Sequence, residues 1–155
     1  MNYTQQLVIV GLAGIVSVSG CSTNRNGRME GGPRPSLACP STPNCVSSYA
    51  VGTTQYVPPI RYEGDMDTAK TRLVSAIQSL EHSRIVATDG QSIRAEFTSA
   101  LFGFVDDVEV IFDDMAKVIH VKSASQVGYF DFGVNRKRVE QIRERFVNLQ
   151  TPEPK

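Results

Sequence analysis

The segment from Ser123 to Arg138 is the best candidate surface for chemistry in this sequence. Its candidate ligand-binding side chains are Tyr129, Asp131, Asn135, Arg136 and Arg138. Guanidinium groups and the free N–H groups at a helix N-terminus both bind anions. Gly128 and Gly133 permit tight turns or a close approach of the backbone to a ligand. The segment is therefore a candidate site for an anion or another ligand.

The cations of this segment also have an internal explanation. Asn135 is predicted to cap a closing helix, with Arg136, Lys137 and Arg138 in its first turn. The helix dipole disfavours positive charge at that end. Either a bound anion or internal carboxylates must compensate, and the candidate carboxylates are Asp131 and the pair Asp106-Asp107. We favour the internal network.

Asp106-Asp107 is itself a candidate general acid–base pair or site for a divalent cation. Adjacent residues on a strand point to opposite faces of the sheet, so the two carboxylates are not expected to converge. We predict a structural role for them. The serines at positions 47, 48, 123 and 125 lack the glycine context of a nucleophile elbow, so a serine hydrolase is unsupported.

Cys39 and Cys45 flank Pro-Ser-Thr-Pro-Asn, a composition that favours a compact turn and brings the thiols together. In an oxidising compartment a disulfide is the expected outcome. A redox-active pair is an alternative, although the spacing is not Cys-x-x-Cys. Zinc is another, but the two histidines, His82 and His120, lack finger-like spacing. We predict neither a metal nor a cofactor.

The third cysteine, Cys21, follows a stretch without charged side chains. Residues Leu7 to Val18 form an apolar and glycine run that is too short to span a bilayer but suits the core of a signal peptide. Val18-Ser-Gly-Cys21 resembles the lipobox of bacterial lipoproteins. That resemblance implies lipid on the Cys21 thiol and removal of residues 1–20. The N-terminal MNYTQQ departs from the usual pattern because it lacks lysine and arginine.

A lipid on Cys21 predicts a cell-envelope protein whose first partner is membrane lipid, held by more than one acyl chain. Ser22 follows the anchor. By analogy with Gram-negative lipoproteins, this favours the outer membrane, with the domain facing the periplasm. Residues 21–36, rich in Gly, Pro, Ser, Asn and Arg, are predicted to be a flexible tether that separates the domain from the bilayer by roughly 20 Å.

The 155 residues leave room for one domain, predicted over residues 37–150, with a disordered tail at 151–155. Lysine plus arginine and aspartate plus glutamate both number 16. A general nucleic-acid binder is usually basic, so no nucleic-acid partner is expected.

Apolar periodicity predicts the order β-α-β-β-β-β-α. Gln55–Glu63 is an edge strand or extended lead-in because of its two prolines, and Asp65 or Asp67 caps a helix that continues to about Glu81. Asp89-Gly90 marks a hairpin, two further alternating strands follow, and the closing helix begins near Asn135. The fold class is α+β, an antiparallel sheet of about four to five strands with two helices on one face.

Strand register can be predicted as well. Four-residue loops at 100–103 and 113–116 place Ala95 opposite Val108, Glu109 opposite His120, and Asp107 opposite Lys122. The outer face then carries facing opposite charges, as a solvated structural face does. Leu101-Phe102 lies at a hairpin tip, where it either inserts into a partner or bilayer or folds back onto the core. We favour the fold-back.

Three motifs resemble the domain-of-unknown-function family numbered 1499: LACPSTPNCVSS from Leu37, FGFVDDVE from Phe102 and SASQVGYFDFGVNRKR from Ser123. The resemblance covers roughly Ser36 to Leu149. It implies an envelope protein and supplies no mechanism. Many relatives carry arginine where this chain has Gln126, which removes one positive charge from the third motif.

The sequence therefore predicts a lipid-anchored module of the cell envelope that binds a protein or an anionic ligand, or has a structural role, without catalysis. The alternative is an enzyme that acts on an anionic envelope component, with Arg136 and Arg138 binding charge and Asp131 or Tyr129 assisting. Redox chemistry at Cys39 and Cys45 is a third possibility.

Overall fold

A computed structural model of the protein describes residues 36–149. Its sheet strands alternate between buried and more exposed residues, as the sequence pattern predicts. The strands are β1 (Cys45–Ser47), β2 (Ile60–Arg61), β3 (Ser83–Asp89), β4 (Ser92–Thr98), β5 (Val105–Asp113) and β6 (Val118–Ser125). The helices are α1 (Met66–Gln78) and α2 (Val134–Asn148). The predicted α+β class is confirmed.

The sheet is antiparallel, with the order β1-β6-β5-β4-β3, and β2 pairs with β6 beyond the end of β1. The sequence analysis missed β1 because it assigned Cys45 to a turn. In the structure the turn ends at Asn44, and Cys45 already pairs with Ala124. Within the lead-in at 55–63, only Ile60–Arg61 forms a strand.

One face of the sheet carries both helices. Along β5 every even-numbered residue from Asp106 to Phe112 is buried, and α1 and α2 add their apolar stripes to the same core. Asp65 is the N-cap of α1, where its carboxylate accepts a hydrogen bond from the amide of Thr68 at 2.8 Å. Of the two caps predicted, Asp65 is the one used, and it fixes where the helix begins.

The predicted register is correct for β4 and β5, where Ala95 pairs with Val108. It is wrong by two residues for β5 and β6. Glu109 pairs with Lys122 rather than with His120, and Asp107 pairs with Ala124. The turn begins one residue later than predicted, because Asp113 still pairs with Val118 and its side chain accepts a hydrogen bond from the amide of Ala116.

The predicted disulfide is confirmed. Cys39 and Cys45 are bonded, with 5.7 Å between their Cα atoms. Cys45 is fully buried at the start of β1. The bond therefore joins the entry segment of the domain to an edge of the sheet.

Several predictions concern residues outside 36–149, namely the signal peptide at 1–20, lipid on Cys21, the rest of the tether and the tail at 151–155. They remain predictions. Neither α1 nor α2, the helices of the described range, has the length and apolar composition needed to cross a membrane.

Reduction of the disulfide is expected to lower the free energy of unfolding by about 2 kcal/mol, because the unfolded chain regains the freedom of a short closed loop. Guanidinium melts with and without a thiol reductant measure the difference. The double variant Cys39→Ser/Cys45→Ser, already destabilised, should show no further response to the reductant. Coincident melts of the wild-type protein in both conditions would contradict the prediction.

Candidate functional site

Two loops and the disulfide-bonded segment meet at one end of the sheet. Antiparallel pairing brings the β4–β5 loop and the β6–α2 loop to the same end of the sheet, where the amide of Gln126 donates to the carbonyl of Val105 at 3.1 Å. The amide of Ser125 donates to the carbonyl of Asn44, so the disulfide-bonded segment ends there too. We call this end of the sheet the aromatic end, after its exposed large apolar side chains, Leu101, Phe102, Phe104, Val127, Tyr129, Phe130 and Phe132.

The tip of the β4–β5 loop does not fold back onto the core, contrary to the favoured prediction. Leu101 is 81% exposed and Phe102 is 70% exposed. Phe102 stacks on Phe104 instead, with ring centroids 5.6 Å apart. A tight turn, in which Ser99 receives hydrogen bonds from the amides of Gly103 and Phe104, holds both rings outside the core.

Phe132 is the most exposed ring of this end, at 95%. Its backbone has a φ of 52°, in the left-handed region that a bulky residue rarely adopts, and Gly133 follows with a φ of 80°. Exposure of an aromatic ring and a left-handed backbone are both unfavourable locally. The surrounding hydrogen bonds must therefore maintain this conformation.

Asp131 provides two of those hydrogen bonds. Its carboxylate accepts from the amide of Gly133 at 2.9 Å and from the amide of Asn135 at 3.0 Å. Desolvation by burial acts to raise its pKa, but these hydrogen bonds outweigh that effect and hold the pKa of Asp131 below its ordinary value. The carboxylate also supplies the negative charge that the cationic first turn of α2 lacks.

Asn135 is not the helix cap that the sequence analysis predicted. The cap position belongs to Gly133, and Asn135 lies inside the first turn with its side chain fully buried. Its amide nitrogen donates to the Asn44 carbonyl and to the Ser125 hydroxyl, both at 3.0 Å. Its carbonyl oxygen accepts from the Ser123 hydroxyl at 2.6 Å. One side chain thus joins α2 to β6 and to the disulfide-bonded segment.

Arg138 extends this arrangement to β5. Its guanidinium donates to Asp106 at 2.6 Å and to the side-chain oxygen of Asn135 at 2.9 Å, and it lies 4.9 Å from the centre of the Phe97 ring. Both members of the ion pair are about nine-tenths buried. We call Ser123, Asn135, Arg138 and Asp106 the buried polar network.

The two acidic residues of β5 separate as strand geometry requires. Asp106 points inward to Arg138, whereas Asp107 is on the other face and accepts from the Gln126 side chain at 3.1 Å. They do not form a dyad. Of the carboxylates predicted to compensate the α2 cations, Asp106 pairs with Arg138, and Asp131 accepts from two backbone amides at the start of the helix.

Arg136 and Tyr129, the remaining candidates, lie at the surface. The Arg136 guanidinium donates to the backbone carbonyls of Thr54 and Tyr56, at 2.7 and 2.9 Å. It lines an open cleft of about 510 Å³ between Phe130 and the disulfide-bonded segment. Tyr129 is exposed and makes an edge contact with Phe130. The candidate residues therefore diverge, since Asn135 and Arg138 point inward and Tyr129 and Arg136 outward.

Catalytic groupings receive little support from the contacts within residues 36–149. No cluster of three or more His, Cys, Asp or Glu side chains in this range is arranged to hold a metal ion. Ser48 Oγ lies 3.3 Å from Nδ1 of His120, the separation of a nucleophile and a base. However, Ser48 is buried and its Oγ accepts from the amide of Val121 at 2.9 Å, which is a structural contact that links the end of β1 to β6.

Sequence reasoning missed Asn44, Ser123 and Ser125 as parts of the site. A signal for the two serines was present, because they continue the inward-facing alternation of Val121 along β6. A hydroxyl at such a position requires a buried hydrogen-bond partner. Asn44 carried no comparable signal. Its side-chain amide donates to the Gly128 carbonyl at 2.7 Å, across 84 positions of sequence.

A family model with the description "Protein of unknown function (DUF1499)" matches residues 37–146, nearly the whole of the described domain. No curated protein shows significant similarity to the chain.

Replacing Arg138 by Ala is expected to lower the free energy of unfolding by about 3–5 kcal/mol, because it leaves Asp106 charged, buried and unpaired. Chemical denaturation measures the loss. A double variant, Asp106→Leu/Arg138→Met, should recover most of the stability because neither charge remains buried.

Arg84→Ala provides the matched control for that experiment. It breaks an ion pair with Glu96 in which the arginine side chain is 70% exposed, so a loss below about 1 kcal/mol is expected. Equal losses in the Arg84 and Arg138 variants would contradict the importance of the buried polar network.

Asp131→Ala is expected to cost about 1 kcal/mol at neutral pH, because the first turn of α2 loses its side-chain acceptor. Since folding lowers the pKa of Asp131, its contribution is complete above the ordinary pKa of about 3.9 and disappears as the pH falls through the lower folded value. Unfolding free energies of both proteins, measured from pH 7 to pH 2, should converge at the acid end. A difference that stays constant across this range would contradict the assignment.

Proposed function

The chain belongs to the DUF1499 family, and we propose that it acts as a lipid-anchored binding module of the cell envelope, without catalysis. Its binding surface is the aromatic end. The lipid on Cys21 is the anchor, and the residues from Cys21 to Ser36 connect it to the domain. In a Gram-negative host this places the domain in the periplasm, on the outer membrane.

The observation that carries this proposal is the concentration of exposed apolar side chains on two neighbouring loops. Single exposed apolar residues are common on proteins, but seven large ones gathered on two neighbouring loops mark a surface that meets a partner. At the opposite end of the sheet the β5–β6 turn carries only Met115 as an exposed large apolar residue, among Asp114, Ala116 and Lys117. The β5–β6 turn thus offers no comparable group of exposed rings.

Hydrogen bonds beneath these side chains hold the β6–α2 loop in one conformation, which favours a role in binding. Asp131 fixes the backbone around Phe132, and Asn44 holds Gly128 by a hydrogen bond. Behind them, the buried polar network ties the start of α2 to β5 and β6. A surface that is ordered before it binds loses less entropy on binding.

The alternative, an enzyme acting on an anionic envelope component, receives no comparable support. It required Arg136 and Arg138, assisted by Asp131 or Tyr129, to face one substrate. The guanidinium of Arg138 is buried in its ion pair, and that of Arg136 donates to backbone carbonyls of residues 54 and 56. Asp131 already binds two amides.

Cys21 acylation is tested by intact mass spectrometry of the protein extracted from its native membrane. The expected mass is that of a chain beginning at Cys21 with added acyl groups. A chain that begins at Met1 without acyl groups would overturn the anchored, extracytoplasmic assignment.

The binding surface is tested by hydroxyl-radical footprinting of the wild-type protein, once in the isolated native envelope and once purified. Phe102 and Phe132 should be oxidised less in the envelope, because a binding partner covers them there. Met115, 99% exposed at the other end of the sheet, is the internal control and should react equally in both samples. Equal oxidation of Phe102 and Phe132 in both samples would show that nothing covers the aromatic end.

A further inference from the structure

We infer that the occupant of the aromatic end is the lipid bilayer that holds the anchor, and that the loop tips insert into its interface. This inference rests on the proposed function and names the partner of the same surface. The domain would then have two attachments to one membrane, the acyl chains on Cys21 and the tips of the β4–β5 and β6–α2 loops.

The composition of the tips suits a bilayer interface. The most exposed side chains are three phenylalanines, a tyrosine and a leucine, and Gly103, Gly128 and Gly133 each lie next to one of them in sequence. Phe and Leu gain from burial in the acyl region, and a tyrosine sits at the level of the headgroups. The rings form two small groups, Phe102 with Phe104 and Tyr129 with Phe130 and Phe132. Each loop thus offers its own apolar tip.

Positive charge on the residues that follow the β6–α2 loop suits the anionic headgroups of a bilayer. Arg136 and Lys137 are exposed in the first turn of α2, four and five residues after Phe132. The Lys137 ammonium makes no hydrogen bond or ion pair with any residue in the 36–149 range, so it is available to an anionic lipid. The nearest carboxylate in the loop, Asp131, is occupied by two amides. Cations one turn behind an apolar tip are the arrangement that anionic bilayers attract.

The length of chain between Cys21 and the domain permits the aromatic end to face the bilayer. The carbonyl of Ser36 accepts from the Lys122 ammonium, and Lys122 lies three residues before the end of β6. At about 3.3 Å per residue, the chain therefore enters the domain at a level roughly 10 Å from the aromatic end of the sheet. The fifteen positions from Cys21 to Ser36 span at most about 50 Å. The bilayer that holds the acyl chains is thus within reach of the tips.

The chain contains no tryptophan, so a single introduced indole reports on one position. Phe132→Trp places this probe at the aromatic end, and Met115→Trp places a matched, equally exposed probe at the opposite end of the sheet. Each acylated protein is reconstituted into vesicles that contain anionic phospholipid with brominated acyl chains. The Phe132→Trp emission should shift to shorter wavelength and be quenched by bromine, whereas the Met115→Trp emission should do neither.

Phe102→Trp provides a second probe on the other loop and should behave like Phe132→Trp. If both aromatic-end indoles remain unquenched in an acylated sample, the docking inference is overturned while the anchor stands. If their emission shifts without quenching by bromine, a second copy of the chain covers the surface, and a bilayer is not the occupant. A sample whose intact mass shows no acyl groups overturns the proposed function, and the docking inference with it.

The contribution of charge is tested with Lys137→Gln in the Phe132→Trp background. One cation near an anionic surface is worth about 1 kcal/mol, so the ratio of quenched to unquenched protein should fall about fivefold on anionic vesicles. On vesicles of neutral lipid the substitution should change nothing. An unchanged ratio on both lipids would remove charge from the inference, and an equal loss on both would point to a structural defect.

Discussion

The arrangement of this domain depends on the removal of one guanidinium from water. Arg138 is buried beside Asp106, and a buried charge is tolerated only when it is paired and its hydrogen-bond donors are used. Asn135 and Ser123 complete that requirement, and no buried side-chain nitrogen or oxygen within residues 36–149 lacks a partner. Because these groups come from β5, β6 and α2, their hydrogen bonds determine how the start of α2 sits against the end of the sheet. The position of the β6–α2 loop follows from this constraint.

That constraint accounts for the exposed surface as well. Asn135 is held inside and Asp131 binds the amides of Gly133 and Asn135, so the chain between β6 and α2 is fixed where it enters α2. The hydrogen bond from the Asn44 side chain to the Gly128 carbonyl holds it near β6. The left-handed backbone at Phe132 then directs its ring into solvent. At the aromatic end, polar interactions are therefore buried and apolar rings are exposed, which is the reverse of the usual distribution. This inversion is the physical basis for proposing that the aromatic end binds, and that a bilayer is what it binds.

The sequence predicted what depends on local periodicity and missed what depends on distant contacts. Alternation along β4 and β5 predicted the buried face, and strand geometry separated Asp106 from Asp107 correctly. The β5–β6 register was wrong because the length of a turn is decided by its own hydrogen bonds, here those around Asp113. Asn135 was taken for a cap because asparagine favours caps, whereas its partners Asn44 and Ser125 are distant in sequence and become visible only in the fold. The exposure of Phe102 was missed because its ring stacks on Phe104, which lies beyond the four-residue loop predicted at 100–103.

The buried polar network holds the aromatic end in one ordered conformation before any partner is present. Backbone ¹⁵N relaxation of the protein in solution tests this directly. Order parameters at residues 129–132 and 101–104 should be about 0.85, similar to those of the neighbouring strands. Values below about 0.6 at these positions, with rigid strands alongside, would contradict the claim, because the rings would then sit on mobile loops that the network does not control.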